Sequence, residues 1–169
     1  MTPDFPERSS VRDRAPAQSL NIRPAVVADL EAIVALFADD GLGGHGDTLD
    51  PAMRPAYLAA FAAIETSPAD HLFVAELDGR VVGTCQIIFT RSLPHRGRLR
   101  ATLEAVQVAA AVRGRRIGEA LVGHAVEFAR ARGAGVVQLT SNKRRLDAHR
   151  FYERLGFERS HEGFKLDLA

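Results

Sequence analysis

One stretch restricts the fold more than any other, the run from Leu99 to Arg132. It opens as an apolar strand, Leu99–Ala109, and turns through Arg113-Gly114-Arg115-Arg116. It continues as a helix over Arg115–Arg132, with Ile117, Ala120, Leu121, His124, Ala125 and Phe128 recurring on one face. Gly133 and Gly135 bracket the helix end, and Val136–Thr140 reads as a short buried strand. Strand, crossover helix and strand in that order make a parallel pair, with the helix packed on the sheet.

The flanking sequence surrounds this unit with antiparallel partners. Leu72–Leu77 and Arg80–Arg91 are strand-like and are joined by Asp78-Gly79, a two-residue hairpin signal. A further strand is expected at Leu20–Arg23, ended by Pro24. Helical spacing predicts one helix over Val26–Asp40, closed by the flexible loop Gly41–Asp47, and a second over Pro51–Thr66. After Thr140, Leu146–Leu155 has Ala148, Phe151, Tyr152 and Leu155 on its inner face, and Gly156 stops it. Phe157–Ser160 and Phe164–Leu168 are expected to pair as a terminal hairpin. The fold class is therefore α/β (α+β): a mixed, mostly antiparallel sheet of six to seven strands flanked by about four helices. The 169 residues suit one domain, 19–169, behind a polar, Pro-rich tail over 1–18 that is expected to be disordered or loosely docked and has no apolar signal-peptide core.

Composition narrows the function. A net charge of +1 and 7% aromatic residues argue against a nucleic-acid binder or an anionic-membrane protein. No apolar run is long enough to span a bilayer. The single cysteine, Cys85, excludes an intrachain disulfide, fits a cytoplasmic location, and reads as a buried, inert thiol. No metal site is expected.

The helix start is where local rules are broken. Cations at a helix N-terminus oppose the dipole, and Gly118 in the first turns weakens the helix. Both choices make sense if backbone amides and arginines grip an anion there. By itself the cluster fits a solvated basic loop equally well. It lacks the Gly-Lys-Ser/Thr ending of a nucleoside-triphosphate loop and the three-glycine spacing of a dinucleotide fold.

Arg113-Gly114-Arg115-Arg116-Ile117-Gly118 resembles the acyl-CoA-binding signature of the GNAT superfamily, Gln/Arg-x-x-Gly-x-Gly/Ala, with Arg116 in place of the middle glycine. Ala148-His149-Arg150-Phe151-Tyr152-Glu153-Arg154-Leu155-Gly156-Phe157 resembles the family's later Ala-x-x-x-Tyr-x-x-x-Gly-Phe segment. The likeness spans roughly Leu20 to Leu168. It implies a GNAT-like sheet with a splayed central parallel pair, and transfer of an acetyl group from acetyl-CoA to an amine.

What the resemblance implies for the site follows residue by residue. The strand before the signature would clasp pantetheine through the backbone of Val106, Gln107 and Val108. Amides and side chains of Arg113, Gly114, Arg115, Arg116, Ile117, Gly118 and Glu119 would meet the pyrophosphate. Asn142 or Arg145 would contact the cofactor where many members carry an asparagine, with Arg144 nearby. Tyr152 would be the acid toward the CoA sulfur, though by its spacing alone it is a packed aromatic. Glu104 would be the base, its alternative being a solvent-facing edge position. His124 reads as packed, His149 as lying at the surface or behind the site, and His45 and His161 as loop residues near the acceptor. The acceptor is expected to be a small-molecule amine. A protein N-terminus or lysine, or a non-catalytic acyl-CoA sensor, is the alternative. A homodimer is also raised by the resemblance.

Overall fold

The computed structural model describes residues 19–41 and 46–168. The tail expected over 1–18 and His45 lie outside the described residues. Among the described residues, five strands form one sheet in the order β1 (Leu20–Pro24), β2 (Asp70–Leu77), β3 (Arg80–Arg91), β4 (Leu99–Val108) and β5 (Val136–Leu139). The first three junctions are antiparallel and β4–β5 is parallel. The helices are α1 (Leu30–Ala38), α2 (Arg54–Thr66), the single turn α3 (Pro94–Gly97), α4 (Ile117–Ala131) and α5 (Leu146–Arg154).

Period-2 alternation places helices on both sides of the sheet. Phe73, Cys85, Ile87, Ala101 and Leu103 face α4, where they enclose Ile117, Leu121, Val122, Ala125 and Ala129 in the main core. Leu72, next to Phe73, instead joins Leu30, Val34 and Phe61 in a second cluster under α1 and α2. Leu121 is fully buried, and a leucine so placed stabilises the fold by roughly 1.5–3 kcal/mol relative to solvent exposure. Gly83 is required beneath it, because a Cβ there would stand 2.9 Å from Leu121 Cδ1 and 3.0 Å from the Gln107 carbonyl.

Four expectations change. The helix expected over Val26–Asp40 divides into a 3-10 turn, Val27–Asp29, and α1. Asp29 causes the break: its carboxylate accepts from the Val26 amide at 2.9 Å and pairs with Arg23 at 2.7 Å. The helix expected from Arg115 begins at Ile117. The sheet has five strands, not six to seven, because Phe157–Ser160 and Phe164–Leu168 form no strand pair. Phe164, Leu166 and Leu168 have the alternation of a strand but lie on no neighbour that would bury them. The helix count of about four becomes five only through α3, a four-residue turn in which His95 and Arg96 have left-handed φ.

Candidate active site

The site is built where the parallel pair comes apart. β4 and β5 pair from Arg100↔Val136 to Leu103↔Leu139, and there β5 ends. β4 continues for five residues, Glu104–Val108, with β3 as its strand partner. Main-chain groups on the other side of this segment have no ladder partner in β5. A β-bulge sits at the fork: Gln86 pairs with Glu104 and Thr84 with Gln107, so Ala105 and Val106 together oppose Cys85. Ala105 takes φ +51, a left-handed conformation that costs a non-glycine residue roughly 1–2 kcal/mol. The bulge breaks the parity expected from alternation, so Glu104 and Ala105 are both exposed. Glu104 is thus a solvent-facing carboxylate at the mouth of the fork, not one buried in the strand. Val106, Gln107 and Val108 are half-buried beyond it.

Beyond Val108 the chain turns into α4. Gly114 at φ +79 and Arg116 at φ +61 shape the turn. The left-handed backbone at Arg116 explains why the resembling signature has glycine there. Arg116 occupies the N-cap position and makes no side-chain cap. The first α-helical bond is Ala120 N–H to the Arg116 carbonyl at 3.0 Å, so the amides of Ile117, Gly118 and Glu119 precede the hydrogen-bonded ladder. The Arg116 guanidinium instead pairs with Glu119 at 2.7 Å, holding that carboxyl below its usual range. Arg113 donates to the Val108 carbonyl at 3.1 Å, while Arg115 is exposed. These features fit a diphosphate-bearing cosubstrate: free amides, a helix dipole, and arginines.

Gly118, in the first turn of α4, lies under α5. A Cβ there would lie 3.4 Å from Phe151 Cζ and 3.7 Å from Val108 Cγ2. Both are ordinary van der Waals distances, so Phe151 of α5 packs directly over Gly118 at the start of α4. That contact positions Tyr152, the next residue on α5, which packs on Phe151 and Phe157 with ring centroids 5.0 and 5.8 Å away. Burial raises the Tyr152 hydroxyl above its ordinary value. Cys85 and Glu104 push the same way and the Arg145 charge opposes them. The same electrostatic contacts bring Tyr152, Glu104, Arg145 and Cys85 into one neighbourhood. Cys85 is fully buried and its thiol is pushed up to about 12 by desolvation, which agrees with an inert group.

The loop before α5 is occupied by its own contacts. Asn142 Oδ1 accepts from the Arg144 amide at 3.0 Å, and its carbonyl accepts from the Arg145 amide at 2.9 Å. Arg145 is ion-paired with Asp40, just past the end of α1. Arg144 is exposed. His124 packs edge-on against Phe73 at 4.7 Å, as expected. His149 Nε2 lies 3.0 Å from the Asn142 carbonyl, and His161 is exposed beside Ser160. Sequence reasoning did not single out Asp40, Ala105 or the seat of Phe151. No local pattern marks Asp40, whose partner is 105 residues away.

The mixed sheet with its forked parallel pair and the open helix start beyond it define the class, an α/β acyl-group transferase. The comparisons agree. Residues 30–157 match the model of the acetyltransferase (GNAT) family. Aminoalkylphosphonate N-acetyltransferase of Salmonella typhimurium is 38% identical over 109 residues, 64% of this chain and 70% of that protein. Glucosamine 6-phosphate N-acetyltransferase of Trypanosoma brucei brucei is 32% identical over 97 residues, 57% and 64% of the two chains. A crystal structure described as a transcriptional regulator from Bacillus halodurans C-125 superposes with a TM-score of 0.85 at 41% identity, covering 89% of this chain and 100% of that one. The chain belongs to the GNAT acetyltransferase family, and its chemistry is acetyl-CoA-dependent acetyl transfer.

Proposed function

We propose that this protein transfers the acetyl group of acetyl-CoA directly to the primary amine of a small molecule, within a ternary complex. The observation that carries the reading is the fork: an unpaired β4 edge leads to an uncapped helix start, with Tyr152 and Glu104 beside it. The edge of Glu104–Val108 receives the amide-bearing pantetheine arm, chiefly through Val106, Gln107 and Val108. The amides of Gly114 to Glu119 take the diphosphate, with Arg113, Arg115 and Arg116 adding charge. Asn142 or Arg145, in the loop before α5, also contacts the cosubstrate. Their side chains serve the cosubstrate only by leaving the contacts they hold within the chain.

Glu104, exposed at the fork, accepts a proton from the acceptor ammonium, directly or through water. The neutral nitrogen attacks the thioester carbon, and the tetrahedral adduct collapses by breaking the C–S bond. Tyr152 gives its proton to the departing thiolate, a role suited to a hydroxyl that burial keeps protonated at neutral pH. The products are an N-acetyl compound and CoA.

Small amines are favoured as acceptors because the named relatives act on an aminoalkylphosphonate and an amino sugar phosphate. The test is thiol release from acetyl-CoA by the purified protein against a panel of aminoalkylphosphonates, amino sugars, amino acids, diamines and lysine peptides. Turnover with a small amine, reduced at least tenfold in Glu104→Gln, supports the reading. Tight acetyl-CoA binding with no turnover across the panel favours the non-catalytic sensor.

A further inference from the structure

The sheet face turned away from α4 changes character along β4. Ala101 and Leu103 point into the core under α4, so Arg100, Thr102 and Glu104 share the opposite face. On the neighbouring strand Val136 and Gln138 lie on that same face, in register with Arg100 and Thr102. A bond from Gln138 Nε2 to Thr102 Oγ1, at 3.2 Å, joins the two strands there. Elsewhere this face is covered, with α1 packed on β3 and α2 on β2 around Leu72. Over β4 and β5 it is open: Val136 is 39% exposed, Gln138 and Glu104 are exposed, and Arg100 and Thr102 are half-buried.

The open stripe is a shallow polar track with three chemically different stations. At the fork stands the Glu104 carboxylate, next the neutral Thr102–Gln138 pair, and at the far end the Arg100 guanidinium. Arg100 makes no ion pair among the described residues, and its guanidinium rests against Ser92 Oγ at 3.5 Å, a long contact. A half-buried arginine without a carboxylate is suited to a ligand anion, which its fork of donors grips in pairs. Opposite charges at the two ends, with hydrogen-bonding groups between, complement a zwitterion. Strand residues rise about 3.4 Å each, so the Cα atoms of Arg100 and Glu104 stand about 14 Å apart. With the flexible arginine swung toward Glu104, the track accepts charges roughly 8–14 Å apart.

We propose that this track seats the acceptor, and that the acceptor is an elongated primary amine with an anionic far end. Its ammonium sits at Glu104, its middle over Thr102 and Gln138, and its phosphate, phosphonate or carboxylate on Arg100. The inference rests on the acetyl transfer proposed above and adds which amines the site selects. A phosphonate one carbon from its nitrogen is too short for the track. An uncharged amine leaves Arg100 unmatched, and a diamine sets a second cation against it. Arg100 is thus the specificity-determining residue, and Thr102 with Gln138 favours acceptors that carry a hydroxyl or amide midway.

The test compares amines of one length, aminohexylphosphonate, hexylamine and hexanediamine, with aminomethylphosphonate as the short control. Binding to the CoA-loaded protein is read by calorimetry, and transfer by thiol release from acetyl-CoA. The wild type should bind aminohexylphosphonate roughly tenfold more tightly than hexylamine or aminomethylphosphonate, the scale of a charge-assisted contact, and kcat/KM should follow the same order. Arg100→Met should remove the preference over hexylamine, and Arg100→Lys should keep part of it. Arg100→Glu should reverse it in favour of hexanediamine, a gain that misfolding cannot produce. A wild type that binds aminohexylphosphonate no better than hexylamine or aminomethylphosphonate overturns the proposal, as does a preference that persists in Arg100→Met. Selective, Arg100-dependent binding without thiol release from any of these amines upholds the track and counts instead against the transfer reading.

Discussion

Two helix beginnings in this protein are treated in opposite ways. Before α1, the Asp29 carboxylate satisfies the Val26 amide and binds Arg23, which also reaches Glu76 of β2 at 2.8 Å. The carboxyl is held below its usual range, and the Arg23 guanidinium is more firmly protonated than usual. Asp29 is 7% exposed, so the helix start is sealed by its own chain. At α4 the N-cap is an arginine in a left-handed conformation, no side chain caps the helix, and Arg113, Gly114, Arg115 and Arg116 are exposed. The contrast separates a helix start sealed by its own chain from one left uncapped, which the proposed function gives to an anion. Changes at the first should unfold the protein without altering its affinity for acetyl-CoA. Changes around the second should alter binding or turnover and leave the fold in place.

The largest expected effect is on the open side. Tyr152→Phe should lower kcat on the order of 100-fold, about 2.7 kcal/mol, with acetyl-CoA affinity by calorimetry unchanged. Because burial raises the Tyr152 hydroxyl, the wild-type rate should persist past the usual tyrosine range before falling at alkaline pH. The variant's pH profile should lack that fall. A variant that binds acetyl-CoA weakly but turns over normally would put Tyr152 in the wrong role.

On the sealed side, Asp29→Ala removes a cap and strands Arg23. The expected loss is roughly 2–4 kcal/mol by urea unfolding, below the full cost of a deeply buried pair because Arg23 keeps water contact. KM for acetyl-CoA should not move, and if it does, the two helix starts are not independent. A smaller effect is expected from Gly114→Val. Its φ of +79 is closed to a β-branched residue, so the turn must rearrange. Acetyl-CoA affinity should fall about tenfold, about 1.4 kcal/mol, with little change in unfolding midpoint.

The smallest effect tests stability away from both helix starts. His71 Nε2 is buried without a hydrogen-bond partner among the described residues. Its ring packs against Phe89 and Phe128, the latter beneath the Arg132 guanidinium at 3.9 Å. Desolvation and then the Arg132 charge lower its pKa, while Asp70 beside it pulls upward. The folded state therefore binds a proton less readily than the unfolded chain, whose histidine titrates near 6.5. Stability should fall as pH drops from about 6.5 toward the lowered folded value. His71→Phe should flatten that slope, as read from unfolding midpoints between pH 7 and pH 5, on the order of the histidine window. Asp29 adds a second loss at lower pH, once its depressed carboxyl is protonated.

Much of the fold was legible because its signals are local. The bounds of β3 were read as Arg80–Arg91, and the helix beginning near Arg115 was displaced by only two residues, to Ile117. Hydrophobic period, the Asp78-Gly79 hairpin and terminal glycines all lie within a few residues of what they specify. The candidate site residues came from the resemblance: Tyr152 on a helix stripe and Glu104 in a strand carry no mark of their own, and Glu104 proves to be a solvent-facing position at a bulge. The terminal hairpin failed because alternation states which face of a strand is apolar, not which edge receives it.

The sequence by itself determined the order of elements, the parallel pair around α4, and the arginine-rich, glycine-bearing turn that precedes it. Those follow from residue periodicity and from charge placed against a helix dipole. Only tertiary structure decided that β5 stops at Leu139, that Ala105 kinks β4 outward, that Phe151 fills the space above Gly118, and that Arg145 is already tied to Asp40. The reason is physical: each depends on what a distant segment does to the same atoms, and no local spacing records the partner.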